Sequence, residues 1–176
     1  MNTLPIPLPR TLTVLCAPHG GGEPVMQLLA ELALCGPVTV LDGGNRFPAY
    51  RLLRLLSLRS PDPAAAARRV YVRRAFTCYQ VLALLESLQA LPQPCLLLDP
   101  LSTFYDEQIS LTEVTRLLEG CLHQLERLCQ AAPLLVVLSP ARTPERAGLV
   151  ERVCSCAGLL YSLELPAPQV LQPALF

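Results

Sequence analysis

The sequence predicts an α/β domain: three layers, with a mainly parallel sheet covered by helices on both faces. Three observations carry this. Apolar residues make up 52% of the 176 positions and charged residues 16%, a balance that suits strands buried on both sides. Short apolar runs alternate with segments of helical period, the pattern of repeated strand–helix units. Glycine and proline punctuate the junctions, as at Cys35-Gly36-Pro37 and Pro61-Asp62-Pro63.

Taken in order, Thr11 to Cys16 is a short apolar run ending in Ala17-Pro18-His19-Gly20-Gly21-Gly22 and reads as the first strand. Val25 to Leu34 has helical spacing. Val38 to Leu41 is the second strand and runs into Asp42-Gly43-Gly44. Tyr50 to Leu58 is helical, with Leu52, Leu53, Leu55 and Leu56 expected inward. A short alanine run follows Pro63, and Val70 to Val72 is a strand. Thr77 to Leu91 is a helix with Thr77 as its N-cap. Cys95 to Leu98 is fully apolar and ends at Asp99. Ser110 to Ala131 is a long helix, and Ser110 and Glu113 have the spacing of a capping box. Leu134 to Leu138 is another buried strand, Thr143 to Cys156 is helical, and Leu159 to Leu165 is the last strand. Ligands in such folds bind at the carboxyl ends of strands. The glycines after the first strand, Asp42, Asp99 and Ser139 all fall there.

The length suits one domain over 1–176, with proline-rich arms at about 1–10 and 166–176. No apolar run approaches the ~20 residues that span a bilayer. The N-terminus lacks the basic flank and apolar core of a signal peptide. A cytoplasmic protein with no membrane partner is expected. The eight cysteines form no Cys-x-x-Cys pair, and most lie in apolar segments, where cysteine packs as a small hydrophobe. Cys154 and Cys156 with His19 or His123 match no usual zinc spacing, so no metal is expected.

Net charge is zero, but the charge is unevenly spread. From Arg46 to Arg74 there are eight arginines and one acid, Asp62. From Asp99 to Glu126 there are six acids and one arginine, Arg116. All fourteen basic residues are arginine; the chain has no lysine. Arginine's planar fork bonds phosphates in pairs, so Arg46, Arg51, Arg54, Arg73 and Arg74 are the candidate contacts to DNA or to a partner. A solvated helix face with arginines paired to acids such as Asp42 or Asp106 explains the same residues. Self-association against the acidic helix of a neighbour is a third reading.

The stretch Ala17 to Pro24 lies where a phosphate-binding P-loop reads G-x-x-x-x-G-K-[ST]. Gly22 keeps the second glycine, but Glu23 stands at the lysine and Pro24 at the hydroxyl residue. A plain glycine turn with proline at the helix start accounts for this loop equally. Other segments resemble the RecA family of recombinases. Leu97-Leu98-Asp99-Pro100-Leu101-Ser102-Thr103-Phe104-Tyr105 is similar to the family's second nucleotide motif. Leu41-Asp42-Gly43-Gly44-Asn45-Arg46-Phe47 is similar to its segment after the second strand, and Val70-Tyr71-Val72-Arg73-Arg74-Ala75-Phe76 to its strand and turn before the third helix.

The resemblance covers about residues 11–140 and implies a RecA-like P-loop NTPase fold. It implies a vestigial nucleotide site at Gly20, Gly21, Gly22, Glu23 and Asp99. It also implies losses. The family's catalytic glutamate aligns with Gly44 and its γ-phosphate sensor with Pro140, while the P-loop lysine and hydroxyl are gone. Its two DNA-binding loops are shortened, at Tyr105–Ser110 and Pro140–Glu145. The expectation is a non-hydrolysing RecA-like module with no catalytic residues and no cofactor. It would serve DNA recombination or repair by binding DNA, a RecA-like partner or further copies of itself. A weak ATPase holding ATP and magnesium on Gly20 to Gly22, and a purely structural partner subunit, are the alternatives. Asp99 is either a vestigial metal ligand or a structural acid paired with Arg73 or Arg74. Tyr105 and Phe47 either stack on a base or pack in the core or at its rim.

Overall fold

The computed structural model describes residue 4 and residues 6–89, 92–141 and 143–163. Six parallel strands form one sheet: β1 (Leu12–Cys16), β2 (Val38–Asp42), β3 (Val70–Arg74), β4 (Cys95–Leu98), β5 (Leu134–Leu138) and β6 (Leu159–Ser162). Their spatial order is β3-β2-β4-β5-β1-β6. The helices are α1 (Gly22–Cys35), α2 (Ala49–Ser57), α3 (Pro63–Ala67), α4 (Cys78–Ser87), α5 (Leu111–Cys129) and α6 (Ala147–Ser155). The expected three layers are present: α1, α2 and α3 cover one face of the sheet, and α4, α5 and α6 the other.

Alternation along each strand builds the two cores. Leu12 and Val14 of β1 face α5 and α6, while Leu15 faces α1. The central strands β2, β4 and β5 are buried throughout, and four of the five β1 residues are, as both-sided coverage requires. The edge strands β3 and β6 are largely exposed. On α1, seven residues from Val25 to Ala33 are buried, so nearly the whole helix is covered by the sheet and by α2.

Caps fix the helix starts. Thr77 Oγ1 accepts from the Gln80 N–H at 3.2 Å, and Asp62 Oδ1 from the Ala65 N–H at 2.9 Å. Ser110 Oγ accepts from the Glu113 N–H at 3.3 Å, but the return half of the expected capping box is missing. The Glu113 carboxylate instead holds Arg116 at 2.7 Å.

Four further expectations change. Leu53 is 45% exposed, because only Leu52 and Leu56 of α2 turn fully inward. Helix α4 ends at Ser87 rather than Leu91, capped by Arg127, which donates to the Leu85 and Leu88 carbonyls at 3.1 and 3.0 Å. The segment from Thr143 opens with a 3₁₀ turn at Pro144–Arg146. That tighter turn aims the Arg146 guanidinium inward, where it donates to the Phe104 and Ile109 carbonyls. Strand β6 ends at Ser162, and residues 164–165 and the arm at 166–176 lie outside the described residues. No helix among the described residues is long and apolar enough to cross a membrane.

Candidate functional site

The turn from β1 to α1 is built on two glycines. The Ala17 N–H donates to the Leu138 carbonyl at 2.9 Å, and the chain then makes a 3₁₀ turn at Pro18–Gly21, which includes Gly20. Gly21 (φ 76°) and Gly22 (φ 51°) both have backbones that side chains disfavour. A Cβ on Gly21 would also lie 2.3 Å from Val25 Cγ2. Helix α1 starts at Gly22 with Glu23 in its first turn and no side-chain cap.

Across from this turn, β2 ends at Asp42. Its carboxylate is 1% exposed and fully used. Oδ1 accepts from the Arg46 N–H and Oδ2 from the Phe47 N–H, both at 3.0 Å, while Arg74 Nε lies 3.4 Å from Oδ2. Burying a charge requires partners of this kind. The pairing with Arg74 follows from register, since Asp42 stands beside Arg74 on the neighbouring strand.

Strand β4 ends at Asp99, whose backbone is left-handed (φ 49°, ψ 50°), a conformation aspartate tolerates better than most residues. Its Oδ1 accepts from the Ser139 N–H at 3.3 Å. Among the described residues it has no ion pair, so the expected pairing with Arg73 or Arg74 does not occur. Asp99 packs against Gly44: a Cβ there would lie 3.2 Å from Asp99 Cβ. Ser102 Oγ donates to the Gly43 carbonyl at 2.8 Å and ties the two turns together.

These ends enclose a cavity of about 190 Å³ lined by Gly22, Asp42, Gly44, Arg46, Arg51 and Asp99, among others. Small-molecule pockets usually run to about 300–1,000 Å³. At its mouth Glu23 Oε2 lies 4.0 Å from Arg51 Nε, with both side chains about half exposed. A larger groove of about 830 Å³ lies away from this chemistry, alongside β3 and the end of α4. Among the described residues, no group of three or more histidines, cysteines or acids could hold a metal ion.

The arginine-rich segment divides. Arg46, Arg51 and Arg74 gather around Asp42 and its cavity. Arg54 sits one turn beyond Arg51 on the exposed side of α2. Arg73 is sent elsewhere, because adjacent strand residues point to opposite faces. It stands beside Leu41, on the α4–α5 side of the sheet, in the groove along β3. Arg59 pairs with Glu31 at 3.3 Å, and Arg69 caps α1 by donating to the Ala33 and Leu34 carbonyls at 3.4 and 2.9 Å. Among the described residues, Arg46, Arg54, Arg68 and Arg73 have no side-chain ion pair. The acidic helix is partly neutralised too: Glu113 pairs with Arg116 and Glu119 with Arg152. Hydrogen bonding to Arg116 holds the Glu113 carboxyl below its ordinary value.

The two aromatic candidates differ in exposure. Tyr105 is buried in the core under α4 and α5, so it is not open to a base. Phe47 is half-buried against the α1 core. The buried Arg146 clamp is the element that sequence reasoning missed. Its only sequence signal is an arginine placed straight after Thr143-Pro144-Glu145.

The strand order, with β5 between the glycine-loop strand β1 and the Asp99 strand β4, defines a RecA-like α/β fold. Among solved structures, the chain is similar to the crystal structure of the RadB recombinase. The TM-score is 0.70 at 18% identity, over 92% of this chain and 78% of that one. No family model matches the sequence, and no curated protein matches it significantly.

Proposed function

We propose that this chain is a RecA-like module that binds rather than hydrolyses, serving DNA recombination or repair by holding DNA or a recombinase partner. The Glu23–Arg51 pair at the cavity mouth carries the reading. A nucleotide triphosphate needs a cation there, and this loop presents a carboxylate. Phosphoryl transfer depends on positioning and charge stabilisation. The lysine, the metal-binding hydroxyl and the catalytic base are all replaced. The cavity is small beside usual small-molecule pockets, and the buried Asp42 is tied to the backbone and to Arg74. ATP and magnesium are therefore not part of the proposed activity. Arg46, Arg51, Arg54 and Arg74, on the α1–α2 side, form the proposed contact face. Likeness to a protein named as a recombinase supports the setting.

The test is a titration of labelled single- and double-stranded DNA at two salt concentrations, with phosphate release from ATP measured on the same sample. The proposal expects salt-sensitive binding and no turnover above background. A chain that ignores DNA at low salt leaves the partner-subunit reading. That reading is favoured by one observation: Arg51, Arg59, Arg69 and Arg74 are already engaged within the fold. Turnover abolished by Asp99→Ala would overturn the non-hydrolysing reading.

A further inference from the structure

Two cysteines far apart in sequence meet beside the glycine turn. Cys16 ends β1, directly before Ala17 and the Pro18–Gly21 turn. Cys154 lies in the last turn of α6. Their sulfurs are 3.5 Å apart, and both residues are half-buried. The other buried cysteines, Cys78, Cys95, Cys121 and Cys129, sit inside the core beneath α4 and α5. This pair is different because one member is reachable: Cys16 lines a cavity of about 510 Å³ at the carboxyl ends of β1, β5 and β6. A small thiol reagent entering there meets Cys16 with a second thiol already in contact behind it.

We propose that Cys16 and Cys154 form a dithiol site that small-molecule disulfides, of the oxidised-glutathione class, convert to an intramolecular disulfide. In the first step Cys16 loses its proton, attacks one sulfur of the reagent and forms a mixed disulfide, releasing one small thiolate. In the second, Cys154 loses its proton and attacks Cys16 Sγ. The protein disulfide forms and the second small thiolate leaves. Two protein thiols are oxidised, one small disulfide is reduced, and the two protons end on the two small thiols. The order follows from access. Cys16 lines the cavity and Cys154 does not, so the reagent meets Cys16 first and Cys154, in contact behind it, resolves the mixed disulfide. The bridge would tie α6 to the end of β1, next to the residues that shape the Gly21–Gly22 turn.

The experiment incubates the full chain with oxidised glutathione, with and without excess reduced glutathione. It then quenches with acid, alkylates free thiols and maps the products by mass. The expected product joins the Cys16 and Cys154 peptides, lighter by two hydrogens, and leaves the four core cysteines alkylated after unfolding. The bridge closes a long loop, so the oxidised protein should melt roughly 5–10 °C higher. Reductant should reverse the shift, and Cys16→Ser or Cys154→Ser should abolish it. Three results would overturn the proposal: Cys16 and Cys154 both free while Cys35 and Cys156 carry glutathione, Cys16 bridged to Cys156, or a mixed disulfide on Cys16 that never resolves. The mapping on the unaltered chain decides the question even if a serine variant fails to fold.

Discussion

Glu23 and Arg51 face each other at 4.0 Å at the mouth of the cavity formed by the ends of β2 and β4. Both are about half exposed, so the pair adds little stability: exposed pairs contribute about 0–1 kcal/mol. Glu23→Lys should change stability by less than about 1 kcal/mol, and it would place a third cation beside Arg46 and Arg51. Phosphate release from ATP should stay at background, because base and metal hydroxyl remain absent. Turnover by this variant would mean that the lysine alone was limiting, and the binding-module reading would fail.

The arginines should not contribute equally to DNA binding. Removing one arginine–phosphate interaction flattens log K against log salt by about 0.9 units on duplex DNA. Arg46→Ala with Arg54→Ala should flatten the slope by about two units, less on single strands. Arg73→Ala should leave it unchanged, because Arg73 stands on the opposite face of the sheet. Equal effects from Arg73→Ala and Arg54→Ala would place the contact on the β3 edge itself.

Arg146 is 7% exposed and donates to the Phe104 and Ile109 carbonyls. Removing it strands one buried and one part-buried acceptor and opens a void. Arg146→Ala should cost about 2–4 kcal/mol, read as a lower thermal midpoint. Arg146→Lys should recover only part, since one ammonium cannot reach both carbonyls with the fork geometry. A neutral Arg146→Ala would mean that the loop after β4 is held by other contacts.

Two glycines should respond oppositely to alanine. A Cβ on Gly43 would sit 2.6 Å from Pro100 Cα, backbone that cannot step aside. Gly43→Ala should cost about 1–3 kcal/mol. Gly148, in the first turn of α6, has open space around it, so Gly148→Ala should gain up to about 0.5 kcal/mol through helix propensity. Denaturant midpoints of the two variants check the pair.

Burial pushes the Cys95 and Cys121 thiols up to about 12 from an ordinary value of 9.0. Raised values favour the neutral thiol in the folded state, so their protection is complete below pH 9 and is lost as pH rises toward 12. Iodoacetamide at pH 8 on the reduced, native chain should label the exposed Cys35 and Cys156 first and spare Cys95 and Cys121. Comparable labelling rates at all four would contradict the packing of the α4–α5 core.

Much of the fold was legible because hydrophobic runs and breakers agree. The strands at 38–42, 95–98 and 134–138 are buried and bounded by Gly, Pro or Asp, so local signals sufficed. The site was harder. Arg69 belongs to the arginine-rich segment in sequence, yet its role is set by carbonyls of α1 that only tertiary packing brings near. Arg73 and Arg74 read as one doublet, and strand alternation splits them between faces. Arg74 chose Asp42 over Asp99 because β2, not β4, is its neighbour. The inward expectation for Leu53 failed because α2 is short and only two of its leucines turn fully inward.

The strand order also sets a timetable for synthesis. Leu12 of β1 pairs with Leu134, and Thr13 with Leu159, so β1 leaves the ribosome long before either strand that flanks it. Until then the apolar β1 has no strand beside it. Such long-range closure is slow and leaves nascent chains prone to aggregate. Chaperones that shield unpaired apolar strands should therefore govern its yield, and a circular permutant in which β1 follows β6 should refold faster.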